Sequence, residues 1–291
     1  MKKILITGCN GQLGRAIRKE YEGEQVEFIN TDVIDSDTSM ALDITSLEEV
    51  LKLVESKKPD VVMNCAAHTG VDACEEQWDS AYRINALGAR NMAIASAKVG
   101  AKLVHVSTDY VFSGEARKPY TEFDQTGPTG AYGKTKLEGE RFVQQFGERY
   151  FIIRTAWLYG EGKNFVKTML RLSESREEVT VVDDQWGSPT SAEELARLIH
   201  HLEPTENYGL FHGTCEGSCS WAGFAEEIFR LAGKNTLVKH VTTEEYGNIC
   251  PTTAPRPAYS VLDNYMLRLT SGYQMADWKD ALAEYMESGK K

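Results

Sequence analysis

The chain has 291 residues, 42% of them hydrophobic and 26% charged, which suffices for a buried core in one or two domains and excludes a disordered or low-complexity protein. Its 32 Lys and Arg against 43 Asp and Glu give a net charge of −11 with no basic run, which argues against a general binder of nucleic acid or of an anionic membrane. Six cysteines in a chain of this length make no disulfide framework, and the set nearest to a zinc knuckle, His212, Cys215 and Cys219, lacks a fourth ligand.

In chain order, the apolar start Ile4-Leu5-Ile6 stops at Thr7-Gly8, too short for a signal peptide. No window approaches the ~20 apolar residues of a membrane span, so a cytoplasmic protein is expected. Residues 3–7, 26–30, 60–64, 102–107 and 150–155 read as buried strands, and 12–21, 47–56, 73–99 and 131–146 as the helices between them. Ser46…Glu49 and Asp72…Glu75 have capping-box spacing. Near-continuously apolar strands alternating with helices predict an α/β fold, a doubly wound parallel sheet covered on both faces. After about Tyr159 the pattern loosens. Helices are expected at 164–172, 192–202, 221–231 and 278–286, and strands at 179–182, 210–212 and 237–241, with prolines punctuating long connections. This divides the chain into a dinucleotide-binding domain over 1–158 and a smaller lobe over 159–291, partly interleaved with the first.

Gly8, Gly11 and Gly14 form G-x-x-G-x-x-G between the first strand and the first helix. There they supply a tight turn, a close backbone approach to a diphosphate and a helix N-terminus aimed at the anion. Asp32, at the end of the second strand, stands where a carboxylate accepts from the adenosine ribose and repels a 2′-phosphate, which favours NADH. Arg15, just after the third glycine, is a counter-signal that leaves room for NADPH. Asp43 and Ile44 occupy the place of an adenine-edge contact, where an ordinary loop aspartate would also serve.

Tyr-x-x-x-Lys occurs twice. Tyr132 and Lys136 share one face of a helix, whereas Gly160 and Gly162 interrupt the second match, Tyr159…Lys163. A cation one turn from a phenol lowers its pKa toward the range of an acid/base catalyst. A surface Tyr and Lys on an amphipathic helix would give the same spacing. Thr108, in Ser107-Thr108-Asp109-Tyr110-Val111-Phe112 after the fourth buried strand, places a hydroxyl on the carboxyl rim of the sheet, where it either bonds a substrate carbonyl or caps the strand.

Together these segments resemble the extended short-chain dehydrogenase/reductases, and more narrowly the dTDP-4-dehydrorhamnose reductases. The resemblance extends through Asn64–Asp72, Arg154–Gly160, Asn164-Phe165, Asp184–Thr190 and Arg256-Pro257. It implies a Rossmann-type domain and a C-terminal lobe for a dTDP-sugar. It further implies that Gly11, Gln12, Leu13, Asp32, Asp43, Ile44, Ala67, His68 and Thr69 line the dinucleotide, that Tyr132 is the proton donor, and that Lys136 also holds the nicotinamide ribose. Thr108, Asp109 and Trp157 would meet the sugar. Arg256 would grip the diphosphate, as a bidentate guanidinium can. For His68 an ordinary loop histidine fits equally.

Two positions depart from the family. Some members bind magnesium through a glutamate in the first helix and another after Pro-Thr; here the first is Ala16 and only Glu193 remains, which Thr190…Glu193 explains as a capping box. No metal is therefore expected, and the chain is expected to be a monomer or weak homodimer. Trp186 stands where relatives often carry Tyr. Two other readings use the same motifs: another nucleotide-sugar epimerase or reductase, such as a GDP-fucose synthase, and a non-catalytic cofactor-binding subunit like the regulatory subunit of methionine adenosyltransferase.

Overall fold

The computed structural model describes residues 1–251 and 253–288. In its first half, β1 (Lys2–Thr7), α1 (Gln12–Glu20), β2 (Val26–Asp32), a short β3 (Met40–Ala41), α2 (Leu47–Lys57) and β4 (Val61–Asn64) follow the apolar runs. Ser46 caps α2 by accepting from Glu49 N, as its spacing predicts. The helix expected over 73–99 is instead broken into α3 (Val71–Glu76), α4 (Trp78–Tyr82), a π-turn (Arg83–Gly88) and α5 (Ala89–Val99). The π-turn points the Asn85 amide inward, onto His68 and Thr135. Such wide turns are common where a functional group must be re-aimed. Asp72 does not cap this helix: Gly70 holds the N-cap position with no side-chain bond, while Asp72 accepts from Thr253 N and Ala254 N.

β5 (Lys102–Thr108), α6 (Ala131–Phe146) and β6 (Tyr150–Thr155) complete the first half. The second half runs β7 (Leu158–Tyr159), α7 (Phe165–Ser173), β8 (Glu178–Val182), β9 (Trp186–Gly187), β10 (Thr190–Ser191), α8 (Ala192–Leu202), β11 (Gly209–His212), β12 (Cys219–Ser220), α9 (Trp221–Ala232), β13 (Leu237–Val241), α10 (Thr243–Ile249), α11 (Tyr265–Thr270) and α12 (Trp278–Ser288). The two-residue strands and the short helices α10 and α11 carry too little periodicity to be seen in the sequence. The cap of α8 is one residue later than the spacing suggests, Ser191 accepting from Glu194 N.

The main sheet has seven strands in the order β11-β6-β5-β4-β1-β2-β3, every pair parallel. The chain leaves β1 in one direction and returns to β4 in the other, so the sheet splays at β1/β4 and opens a crevice beyond its carboxyl ends. One face is packed by α1 and α8 over Ile4, Ile6 and Ile153, the other by α2 and α5 over Leu5, Val62 and Ile152. A third core joins α7, α9 and α12 around Tyr159, Phe224 and Leu282. The second half thus lends α8 and β11 to the main sheet, while α7, α9 and α12 build a core of their own. Cys215 and Cys219 are free and buried, Cys219 in the strand next to α9, and neither meets a metal-like set. Among the described residues no group of three or more His, Cys, Asp or Glu is arranged to hold a metal, and no helix is long and apolar enough to cross a membrane.

Candidate active site

A cleft of about 1250 Å³ runs along the carboxyl rim of the sheet. Its floor is the glycine turn. Gly8 has φ +62°, and a Cβ on Gly14 would lie 2.6 Å from both Cys9 Cα and the Gly8 carbonyl oxygen, so the chain closes this tightly only without side chains. Among the described residues no side chain caps α1 at Gly11, and the first turn holds no acidic residue. Gly11, Gln12 and Leu13 line the cleft there; the Gly11 N–H is spent within the turn on the Gly8 carbonyl at 3.0 Å, and the N–H groups of Gln12 and Leu13, at the start of α1, fit a diphosphate.

Asp32 is fixed by two backbone donors, Val33 N at 2.8 Å and Asn10 N at 3.1 Å, and lines the same cleft. Arg15 is turned away: its Nε donates to the Asn10 carbonyl at 2.8 Å and its guanidinium pairs with Glu161. Asp43, Ile44, Ala67 and Thr69 also line the cleft. His68 does not. Its N–H donates to Asn85 Oδ1 at 2.8 Å, and its Nδ1 faces Cys74 Sγ at 3.2 Å.

The opposite wall is made by β5 and α6. Thr108, Asp109, Tyr132, Lys136 and Trp157 all border the cleft. Glu75 Oε1 accepts from Ala131 N at 2.6 Å and so caps α6, the helix that carries Tyr132 and Lys136. A carboxylate suits that helix end, and nothing in the spacing of Glu75 reveals it. The Tyr132 ring packs edge-on to Tyr110, centroids 5.5 Å apart. Burial raises the phenol's pKa above its ordinary value, with only the neighbouring Thr108 hydroxyl pulling it down. The expected lowering by Lys136 is absent, because the ammonium points instead at the Val106 carbonyl, 2.5 Å away. Burial in turn pushes Lys136 down to about 8, against the pull of Glu140.

Thr108 Oγ1 donates to Asp109 Oδ1 at 2.9 Å. Burial pushes the Asp109 carboxyl up to about 6, against hydrogen bonds that favour the anion; its Oδ2 has no hydrogen-bond partner among the described residues. Arg256 stands off the cleft wall, paired with Asp72 at 2.9 Å and 3.5 Å from the Tyr110 hydroxyl. The second match, Tyr159, is buried in the third core between Phe224 and Tyr285. Ala16 and Glu193 share a small separate cavity in which Arg197 pairs with Glu194 and Glu284, a cation already among the carboxylates. Trp186 is half-exposed on β9 and is not on the cleft wall.

The family model described as RmlD substrate binding domain matches residues 1–290. The spore coat polysaccharide biosynthesis protein SpsK of Bacillus subtilis is 41% identical over 288 residues, 99% of this chain and 98% of that one. A crystal structure of a dTDP-4-dehydrorhamnose reductase from Clostridium acetobutylicum superposes with a TM-score of 0.94 at 55% identity, covering 99% of this chain and all of that one. The dTDP-4-dehydrorhamnose reductase of Bacillus anthracis, solved in complex with NADP, gives 0.92 at 43% identity, covering 99% of this chain and 100% of that one. With the cofactor turn and the Tyr–Lys helix on one cleft, the chain belongs to the RmlD substrate binding domain family, that of the dTDP-4-dehydrorhamnose reductases.

Proposed function

We propose that this chain reduces the 4-keto group of dTDP-4-dehydro-L-rhamnose to give dTDP-L-rhamnose, with Tyr132 as proton donor. It is an NAD(P)H-dependent oxidoreductase. The observation that carries the reading is the single cleft bordered at one end by the glycine turn and Asp32 and at the other by Thr108, Tyr132 and Lys136. A bound nicotinamide supplies the hydride that adds to C4 of the sugar. Charge then grows on the carbonyl oxygen, and Tyr132 delivers the proton of its Oη there. Its burial suits this direction of reaction, since the phenol holds its proton until that charge appears. Thr108 re-aims its hydroxyl from Asp109 toward the same oxygen, and Lys136 binds the nicotinamide ribose. Asp109 and Trp157 orient the sugar, and Arg256 exchanges Asp72 for the substrate's diphosphate.

Residues 1–158 form the dinucleotide-binding part and residues 159–291 the nucleotide-sugar lobe, apart from the returned α8 and β11. The enzyme acts as a cytoplasmic monomer or weak homodimer without a metal. NADH is the preferred cofactor, because Asp32 is held in place by two backbone donors while Arg15 is engaged by Glu161. Asp32→Ala should therefore relax the discrimination between NADH and NADPH, mainly through their KM values. The ratio of kcat/KM for the two cofactors measures this, and an unchanged ratio would move the assignment to the Asp43 loop or to Arg15.

The test of the whole reading is a panel of 4-keto-6-deoxy sugar nucleotides with NADH and NADPH, followed at the nicotinamide absorbance. Oxidation of NADH with formation of dTDP-L-rhamnose is expected. Inversion of a sugar centre without net reduction would favour the epimerase class. NADH binding with no turnover of any keto sugar would favour a cofactor-binding subunit and sink the reductase.

A further inference from the structure

Trp157 is one of two non-glycine residues with positive φ among the described residues, at +48°. The other, Lys58, is an exposed helix C-cap, an ordinary place for that conformation. A bulky indole held there needs neighbours that over-determine it. Two supply that constraint, and neither is among the residues that the sequence assigns a role in the site. Trp221 stacks on Trp157 with ring centroids 3.6 Å apart and planes 9° from parallel. Gly187 lies so close that a Cβ on it would sit 2.4 Å from Cε2 and 2.6 Å from Nε1 of the same indole.

The fold brings these neighbours to one place. β9 and β12 pair antiparallel with Gly187 opposite Cys219, and β12 runs directly into α9, whose first residue is Trp221. Trp221 is in turn set against Phe165 at 4.7 Å and Phe224 at 6.3 Å, and Phe224 is buried in the third core. The lobe's own core therefore fixes the plane of an indole that belongs to the rim of the main sheet, two residues past β6. Both indoles border the cleft that holds Tyr132.

We infer that Trp221, with Gly187, is a positioning residue for the sugar end of the substrate. It holds Trp157 so that the paired indoles present an apolar wall to a 6-deoxy sugar, whose C6 methyl makes no demand for hydrogen bonds. Trp221 does not serve the cofactor. This inference rests on the reductase reading above.

The test uses the full chain and two probes, dTDP and dTDP-L-rhamnose, each titrated calorimetrically, with NADH titrated as a control for folding. The gain in affinity that the rhamnose adds over dTDP isolates the wall. Trp221→Ala should lower affinity for dTDP-L-rhamnose about tenfold or more while leaving dTDP and NADH within about threefold, the scale of one lost apolar contact surface. In turnover the same variant should raise KM for the keto-sugar nucleotide and leave KM for NADH unchanged. Trp221→Phe, which keeps a stacking ring, should restore most of the sugar affinity. Gly187→Ala should reproduce the loss with Trp221 intact. Circular dichroism of the native chain should show the couplet of two face-to-face indoles, absent in both Trp221 variants. A native chain that binds dTDP-L-rhamnose better than dTDP, with a Trp221→Ala variant that does the same, overturns this inference alone. Loss of NADH affinity in parallel with sugar affinity also overturns it, because the role would then be structural. A native chain that binds neither nucleotide sinks the reductase reading and this inference together.

Discussion

Phenylalanine in place of Tyr132 should lower turnover of the keto-sugar nucleotide by about 10²–10⁴-fold, the usual worth of a positioned proton donor. The substitution removes one oxygen and leaves the ring, which packs on Tyr110 and against the small buried cluster of Cys74, Ala81 and Ala131. Folding and NADH affinity should therefore be little changed. Because burial keeps the phenol protonated at neutral pH, the missing atom is the one that gives the proton. Thr108→Val should cost less, since it removes one neutral hydrogen bond whose work Tyr132 partly shares. Single-turnover rates decide the matter: a Tyr132→Phe chain within about threefold of the native rate would remove this tyrosine from the mechanism.

The residues at the two ends of the cleft were legible in the sequence where their chemistry is local. The glycine turn, the aspartate at the end of β2, and the Tyr–Lys pair at the start of α6 each sit at a junction between two elements that periodicity marks clearly. α6, β6, α8 and β13 occur at the boundaries expected of them for the same reason. What was not legible depends on contacts far apart in the chain. The π-turn at Arg83–Gly88 exists because Asn85 must reach His68 and Thr135, and because Gly139 of α6 approaches so closely that a Cβ there would lie 2.4 Å from the Asn85 carbonyl oxygen. Asp72 and Glu75 look like a local cap, yet one holds Arg256 and the segment before it, and the other caps α6. Spacing placed Lys136 one turn from Tyr132 correctly. It could not give the direction of the ammonium, which the Val106 carbonyl of β5 decides.

Glu140, which does not line the cleft, acts on Lys136 through its charge. Glu140, one turn further along α6, is buried and binds Arg154 through two hydrogen bonds of 2.9 and 2.7 Å, and it accepts from Ser107 Oγ at 2.5 Å. Arg154 is buried as well, over the Phe112 ring. Glu140→Gln would leave that guanidinium in the core without its anion, which costs about 3–5 kcal/mol in comparable buried pairs. A fall of that size in denaturant-derived stability is expected, and a loss under about 1 kcal/mol would contradict the buried pairing. The effect on Lys136 is separable. Its folded pKa of about 8 lies below its ordinary 10.5, so the unfolded chain binds more protons between those values, and this group's contribution to stability rises with pH across that window. Glu140 is the anion that opposes this depression. Without it the lysine should lose its proton at lower pH, and the alkaline limb of the rate profile, expected near pH 8 for the native chain, should move toward acid. The double variant Glu140→Gln, Arg154→Met distinguishes the two roles. Removing both charges should recover much of the stability, because an apolar replacement of a buried pair is often neutral, while the displaced limb should persist. A double variant with both the native stability and the native pH profile would leave Glu140 with no part in setting the charge of Lys136.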